Sequence, residues 1–164
     1  MTPSVISGIL VAAWLGLMFA LRRSGYLIAL ISLAATVLHE ACHWLVGLLL
    51  NAQPRSVTLF PKRQGGHWVL GAVSFANLKF WNAAFVALAP LAMLPLGLWI
   101  FQAWMVPALA AGDYPSWGLA GYVVACCLFG GLPSGTDIRI GAVSTVFYAL
   151  VAGAIWWLVE RGLK

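Results

Sequence analysis

The sequence predicts an all-α membrane protein that crosses the bilayer about five times and carries one membrane-associated β-hairpin. Its composition is 63% hydrophobic and 8% charged, and its mean hydropathy is +0.96. Apolar runs approaching the roughly 20 residues needed for a membrane span recur along the 164 residues. Soluble globular domains do not have this composition. We therefore expect a multi-pass integral membrane protein, most simply of the cell membrane.

Hydropathy and helix-breaking residues define the five expected helices within a single domain, 1–164. The first apolar run lacks the basic segment and small-residue cleavage site of a signal peptide, so we expect it to be retained. We expect no soluble domain beside the membrane part. Pro90 and Pro95 interrupt the third helix and free backbone carbonyls that need other partners. The five helices are expected at 4–21, 26–50, 80–106, 117–129 and 138–159.

A segment between the second and third helices, about 56–76, does not have a helical pattern. It contains "SVTLF" and "HWVLGAVSF", which are rich in β-branched and aromatic residues, on either side of the turn-forming "PKRQGG". We predict a β-hairpin here. A hairpin at membrane depth must pair its backbone polar groups or bury them in protein or in a water-filled cavity.

The net charge of +5 is distributed over short loops and helix ends, as expected for anchors at lipid headgroups. Basic residues do not cluster with aromatic ones, so we expect no nucleic-acid partner. The three cysteines form neither a C-x-x-C motif nor a disulfide framework. The positive-inside rule favours a cytoplasmic location for the hairpin side by one charge. The hairpin side carries Arg55, Lys62, Arg63, Lys79 and Arg139, and the opposite side carries Arg22, Arg23, Arg161 and Lys164.

The second helix contains "HEACH", an H-E-x-x-H motif formed by His39, Glu40 and His43. Residues four apart lie on one face of a helix, so both imidazoles can bind one metal ion. Glu40 can take a proton from a metal-bound water. The alternative is a pair of interhelical hydrogen bonds beside a buried acid, but ionisable residues inside a membrane are costly and usually functional. Steps of three and four extend the motif into a stripe of small and polar residues: Ser32, Thr36, His39, Glu40, His43 and Gly47.

Catalytic zinc sites usually have a third protein ligand, and the chain offers few candidates. Asp113 and Glu160 fall on the side of the membrane opposite the hairpin, whereas His43 lies near the hairpin side. Asp137 begins the fifth helix on the hairpin side, after a glycine-rich break, so topology selects it. Two alternatives stay open: Asp137 is only a helix cap, or His67 in the hairpin is the ligand.

These features resemble the site-2 protease family of intramembrane zinc metalloproteases, over about 26–140. The resemblance implies that His39, His43 and Asp137 bind Zn²⁺ and that Glu40 is catalytic. "LAPLA" at 88–92 resembles the family's glycine-proline motif, and the hairpin resembles its re-entrant β element. Ile138 stands where the family has glycine after the aspartate, and Ala89 where it has glycine before the proline. We expect a divergent, minimal member.

The resemblance implies an endopeptidase whose substrate is a membrane-spanning protein. The hairpin would present that substrate in extended form by strand addition. Two other functions fit the same residues. A metal transporter would need polar residues at successive depths of several helices. The first and fourth helices contain few of them, which argues against a continuous ion path. A catalytically inactive homologue that only binds membrane partners would not need Glu40.

Overall fold

The computed structural model describes residues 1–21, 24–59, 62–64, 67–69 and 71–162. It is mostly helical, with a small antiparallel β element between the third and fourth helices. A 3₁₀ turn at Ala89–Ala92 joins α4 to α5, and a π-helical turn at Phe101–Met105 joins α5 to α6. The helices are α1 (Pro3–Ala20), α2 (Gly25–Ile31), α3 (Leu33–Leu49), α4 (Phe80–Leu88), α5 (Met93–Ile100), α6 (Val106–Ala110), α7 (Tyr114–Gly130) and α8 (Gly135–Gly162).

All five predicted helical segments are present, and their bounds differ from the predictions by a few residues. The second segment is divided at Ser32, whose hydroxyl donates to the carbonyl of Ile28 at 2.7 Å. The third segment continues four residues beyond its predicted end, to Ala110. Pro90 does not end that segment, because the tighter 3₁₀ turn accommodates the ring and its missing N–H.

Three helical runs are long and apolar enough to cross a membrane: Pro3–Ala20, Phe80–Ala110 and Gly135–Gly162. The helix that carries H-E-x-x-H, Leu33–Leu49, is apolar but shorter. It follows α2 with only Ser32 between them. The expectation of a membrane protein agrees with these lengths, and the full count of five spans stays a prediction.

Helix α7 is packed among α1, α3 and α5, and it supplies much of the buried core. Small residues allow these helices to approach closely. A β-carbon added at Gly97 on α5 would lie 2.9 Å from that of Cys127 on α7. Helix α8 lies to one side and packs against α4, where the Tyr148 hydroxyl donates to the carbonyl of Trp81 at 2.9 Å.

The predicted hairpin is present and consists of two antiparallel ladders. Strand β1 (Pro54–Thr58) pairs with β4 (Ala72–Phe75), and β2 (Lys62–Gln64) pairs with β3 (His67–Val69). The prediction that "PKRQGG" is entirely turn is wrong at Lys62–Gln64, because these residues extend the ladder opposite β3. The glycine pair 65–66 lies outside the described residues.

One buried asparagine ties the base of the hairpin to the helices on both sides. Asn82, on α4, accepts from the backbone N–H of Lys79 at 2.7 Å. Its amide nitrogen donates to the carbonyls of Asn77 at 3.1 Å and Leu50 at 3.3 Å. Asn82 thereby joins the end of α3, the exit of β4 and the start of α4.

The polar stripe of α3 faces the protein interior, as predicted. Ser32, Glu40, His43 and Gly47 are buried, while apolar residues on the other face are exposed. Gly47 contacts the ring of Phe75 on β4 so closely that a β-carbon there would overlap it. The missing side chain at Gly47 therefore allows β4 to pack against the stripe.

Candidate metal centre

Three side chains from two distant parts of the chain meet between α3 and α8. The Nε2 atoms of His39 and His43 lie 3.1 Å apart. His39 Nε2 is 3.3 Å from Asp137 Oδ2, and His43 Nε2 is 3.2 Å from Asp137 Oδ1. The three side chains are at most 14% exposed. Within the described residues this group could hold a metal ion.

The orientation of the His39 ring is set by the end of α7. His39 Nδ1 donates to the carbonyl of Gly130 at 2.7 Å. The last carbonyls of a helix have no partner within the helix, so this one is available. A β-carbon at Gly130 would lie 2.8 Å from the carbonyl oxygen of Ala35 on α3. Only glycine lets the end of α7 approach α3 closely enough for this contact.

The orientation of the His43 ring is set by α4. His43 Nδ1 donates to the carbonyl of Val86 at 2.7 Å. In a regular helix that carbonyl would accept from the N–H four residues later, but position 90 is proline and has none. The N–H of Ala89 donates to the same carbonyl oxygen in the 3₁₀ turn. Because Pro90 has no N–H to donate, His43 Nδ1 can reach that oxygen as a second donor.

These two contacts determine the tautomers. A backbone carbonyl only accepts, so Nδ1 carries the hydrogen in both rings, and each neutral ring presents a bare lone pair at Nε2. Two lone pairs and a carboxylate therefore lie within 3.3 Å of one another, an arrangement that a metal ion among them could bind. A tetrahedral ion with bonds of about 2.0–2.1 Å has ligand atoms about 3.3 Å apart. The 3.1 Å between the two Nε2 atoms is close to that value, and one ligand atom from each of the three residues lies within 4.8 Å of the others.

Asp137 is both a candidate ligand and part of a helix cap. Ser134 directly precedes α8 as its N-terminal cap, and Asp137 lies in the first turn. The N–H of Ser134 donates to Asp137 Oδ2 at 2.6 Å, and the N–H of Asp137 donates to Ser134 Oγ at 3.2 Å. This reciprocal pair is a capping box. It holds the carboxylate at the start of α8 while both of its oxygens face the two imidazoles.

Glu40 lies beside the three candidate ligands and lines the same cavity of about 510 Å³. It is 6% exposed, and within the described residues its carboxylate accepts no hydrogen bond. Gly71, just before β4, lies directly against it, since a β-carbon there would be 2.6 Å from Glu40 Oε1 and 2.8 Å from Thr36 Cγ2. The hairpin thus contacts the acid of the motif through a residue without a side chain.

The other acidic candidates lie elsewhere. Asp113 caps α7, where hydrogen bonds from the side chain of Ser116 and from its backbone N–H, the latter at 3.2 Å, lower the pKa of Asp113. Glu160 is exposed near the end of α8. His67 is in β3, and only its backbone is described. The partners of the imidazole N–H groups are the backbone carbonyls of Gly130 and Val86.

Replacing Pro90 by alanine is expected to weaken metal binding about tenfold. The new N–H at position 90 would compete for the Val86 carbonyl, and losing an outer partner of a ligating histidine typically costs 10- to 100-fold in affinity. The measurement is the Zn²⁺ dissociation constant from competition with a chromophoric chelator. Pro95→Ala is the matched control, because Pro95 frees the carbonyl of Leu91, which binds neither imidazole. Equal weakening in both variants would contradict the explanation.

No protein-family model, no curated protein and no solved structure matches this chain.

Proposed function

We propose that this protein is an intramembrane zinc endopeptidase, a divergent and minimal member of the site-2 protease family. It hydrolyses a peptide bond in or near the transmembrane segment of a membrane-spanning protein. The observation that carries the proposal is the position of Glu40, whose carboxylate accepts no hydrogen bond within the described residues and lies in the same cavity as three side chains that could hold a metal ion. The apolar helices around the cavity support a membrane setting.

Zinc fits the donor set of two imidazole nitrogens and one carboxylate, which leaves a fourth position open. His39, His43 and Asp137 would hold the ion, and the carbonyls of Gly130 and Val86 would fix the imidazole orientations. When bound, zinc supplies Lewis acidity that activates water near neutral pH and polarises a carbonyl.

Glu40 would act as the general base and then as the general acid. Its carboxylate can accept a proton from the attacking water and deliver it to the leaving nitrogen of the cleaved peptide. Gly71 confines the carboxylate on the hairpin side.

Strand β4 would bind the substrate. It pairs with β1 along one edge, and its residues Ala72, Val73 and Phe75 line the cavity. Within the described residues β4 has no second strand partner. An extended peptide can add to such an edge through main-chain hydrogen bonds. A peptide bond in a helix is shielded by its own turns, so the added strand would present it for attack.

This function places the protein in the cell membrane as a multi-pass protein, with the hairpin side in the cytoplasm. Its partners would be the lipid bilayer and a membrane-spanning substrate. A small excess of basic residues on the hairpin side supports that orientation.

The test is zinc-dependent cleavage of a membrane-spanning reporter by the purified protein in liposomes. We expect about one zinc per chain, cleavage that stops when 1,10-phenanthroline removes the metal, and recovery when Zn²⁺ is restored. The non-chelating isomer 1,7-phenanthroline is the control for inhibition unrelated to metal. A protein that binds no metal after zinc is supplied would overturn the proposal.

A further inference from the structure

The Glu40 side chain is held in place without a hydrogen bond. It is 6% exposed, and no described residue donates to its carboxylate. The two histidines beside it differ, because each imidazole has a backbone carbonyl as its partner at 2.7 Å. A glutamate side chain has several rotatable bonds, and restricting them costs free energy. The atoms packed around the carboxylate must therefore supply the restriction.

Gly71 packs directly against this side chain from the hairpin. A β-carbon built on Gly71 would lie 2.6 Å from Glu40 Oε1 and 2.8 Å from Glu40 Cγ. Among the described glycines, Gly71 is the one whose added β-carbon would overlap an acidic side chain. The end of a glutamate side chain rotates more easily than two packed elements separate, so an alanine at position 71 would displace the carboxylate.

A second contact fixes the distance between β4 and α3. Gly47, seven residues after Glu40, meets Phe75 at the other end of β4, where an added β-carbon would overlap the ring. Seven helical residues rise about 10 Å and four strand residues about 13 Å, so β4 runs beside α3 in the same direction. Contacts at both ends hold the strand against the helix, and they set the position of Gly71 relative to Glu40.

Gly71 is also continuous with the strand proposed to bind substrate. Ala72, the next residue, begins β4 and pairs with Thr58 of β1. Under the proposed function, a substrate strand would add to the edge of β4 that no described strand occupies. One stretch of backbone then locates both the base and the peptide bond on which it acts.

We infer that Gly71 is a positioning residue for the hydrolysis and that it acts through Glu40. The inference rests on the proposed function. The backbone at Gly71 sets where the carboxylate lies, so the carboxylate and a substrate held by β4 keep a fixed separation. A side chain at position 71 would disturb this separation, while the three metal-binding side chains keep their own supports on α4, α7 and α8.

The contact is tested by carbon-13 NMR of the metal-free protein in liposomes. The chain has two glutamates, Glu40 and Glu160, so labels at the glutamate carboxyl carbon and the glycine α-carbon give a simple spectrum. We expect a through-space cross-peak between Glu40 and a glycine. It should disappear in Glu40→Gln and in Gly71→Ala. Absence of this cross-peak from the wild type, or its survival in Gly71→Ala, would overturn the inference.

The role is tested by combining Gly71→Ala with Glu40→Gln in cleavage of the membrane-spanning reporter. Gly71→Ala alone should lower kcat about 100-fold, the cost of misplacing a reacting group by about 1 Å. The KM and the Zn²⁺ dissociation constant should stay close to the wild-type values. In the Glu40→Gln background Gly71→Ala should cause no further loss, because the group through which it acts is already absent.

Gly97→Ala is the matched steric control. Its β-carbon would lie 2.9 Å from that of Cys127, between α5 and α7 and outside the cavity, so its effect on the rate should be the same in both backgrounds. Losses that multiply in the Gly71→Ala, Glu40→Gln double variant would give Gly71 a purely structural role and overturn the inference. A rise in KM in place of the fall in kcat would also overturn it.

Failure of the wild-type protein to cut any reporter would overturn the proposed function and, with it, the role of Gly71 in hydrolysis. The NMR cross-peak would still decide whether Gly71 positions the Glu40 side chain, because that measurement needs neither metal nor substrate. A wild type that cuts the reporter, beside a Gly71→Ala variant with the same kcat, would overturn the inference while the proposed function stands.

Discussion

Replacing Glu40 by glutamine is expected to lower the rate of reporter cleavage by about 10³-fold, within the range of general acid–base effects, and to leave zinc binding intact. Glutamine has nearly the same size, so the close approach of Gly71 is retained. It cannot accept a proton from water, which is the role assigned to Glu40. The measurements are the initial cleavage rate in liposomes and the zinc content per chain by plasma mass spectrometry.

Glu160→Gln is the matched control for this substitution. It makes the same chemical change at an exposed position near the other end of α8, and it should leave the cleavage rate unchanged. A Glu40→Gln variant that cuts at the wild-type rate would show that Glu40 is a buried acid without a catalytic role. Loss of zinc from that variant would instead show that Glu40 helps to hold the metal.

Replacing Asp137 by asparagine is expected to weaken zinc binding by more than 100-fold, which exceeds the usual effect of an outer-shell partner. The amide oxygen can still accept from the N–H of Ser134, so the capping box survives. The negative charge that faces His39 and His43 is lost. The Zn²⁺ dissociation constant, from the same chelator competition, measures the effect.

Ser134→Ala is the reverse test of Asp137: it weakens the helix cap and keeps the carboxylate that faces the histidines. It removes the hydroxyl that accepts from the Asp137 N–H and leaves the carboxylate in place. We expect a loss of about 1 kcal/mol in stability from the missing cap and zinc affinity close to that of the wild type. Tight zinc binding by Asp137→Asn would show that Asp137 only caps the helix, and His67 would become the candidate third ligand.

Much of the fold and the centre of the site could be predicted from the sequence, because they depend on local patterns. Hydropathy located the helical segments, and turn-forming residues located the hairpin. The spacing of His39 and His43 placed both rings on one helix face, since four residues are about one helical turn. The order of the segments across the membrane was enough to choose Asp137 among the acids, and the structure brings it to the two histidines.

Only the tertiary structure showed what orients these groups. The partners of His39 and His43 are backbone carbonyls 91 and 43 residues away. Such contacts produce no local periodicity. Two residues are indirect sequence signals of these contacts: Gly130, where helices approach closely, and Pro90, which leaves the carbonyl of Val86 available. The contact between Gly71 and Glu40 has no such signal, because a glycine before a strand is equally typical of a turn.

The sequence alone therefore determined which residues can bind a metal and accept a proton, since that chemistry belongs to the side chains and to their spacing along one helix. The tertiary structure decided the tautomer of each imidazole, the capping of Asp137 and the confinement of Glu40. These depend on the distance and direction between atoms of different elements, which are set only when α3, α4, α7, α8 and the hairpin pack together.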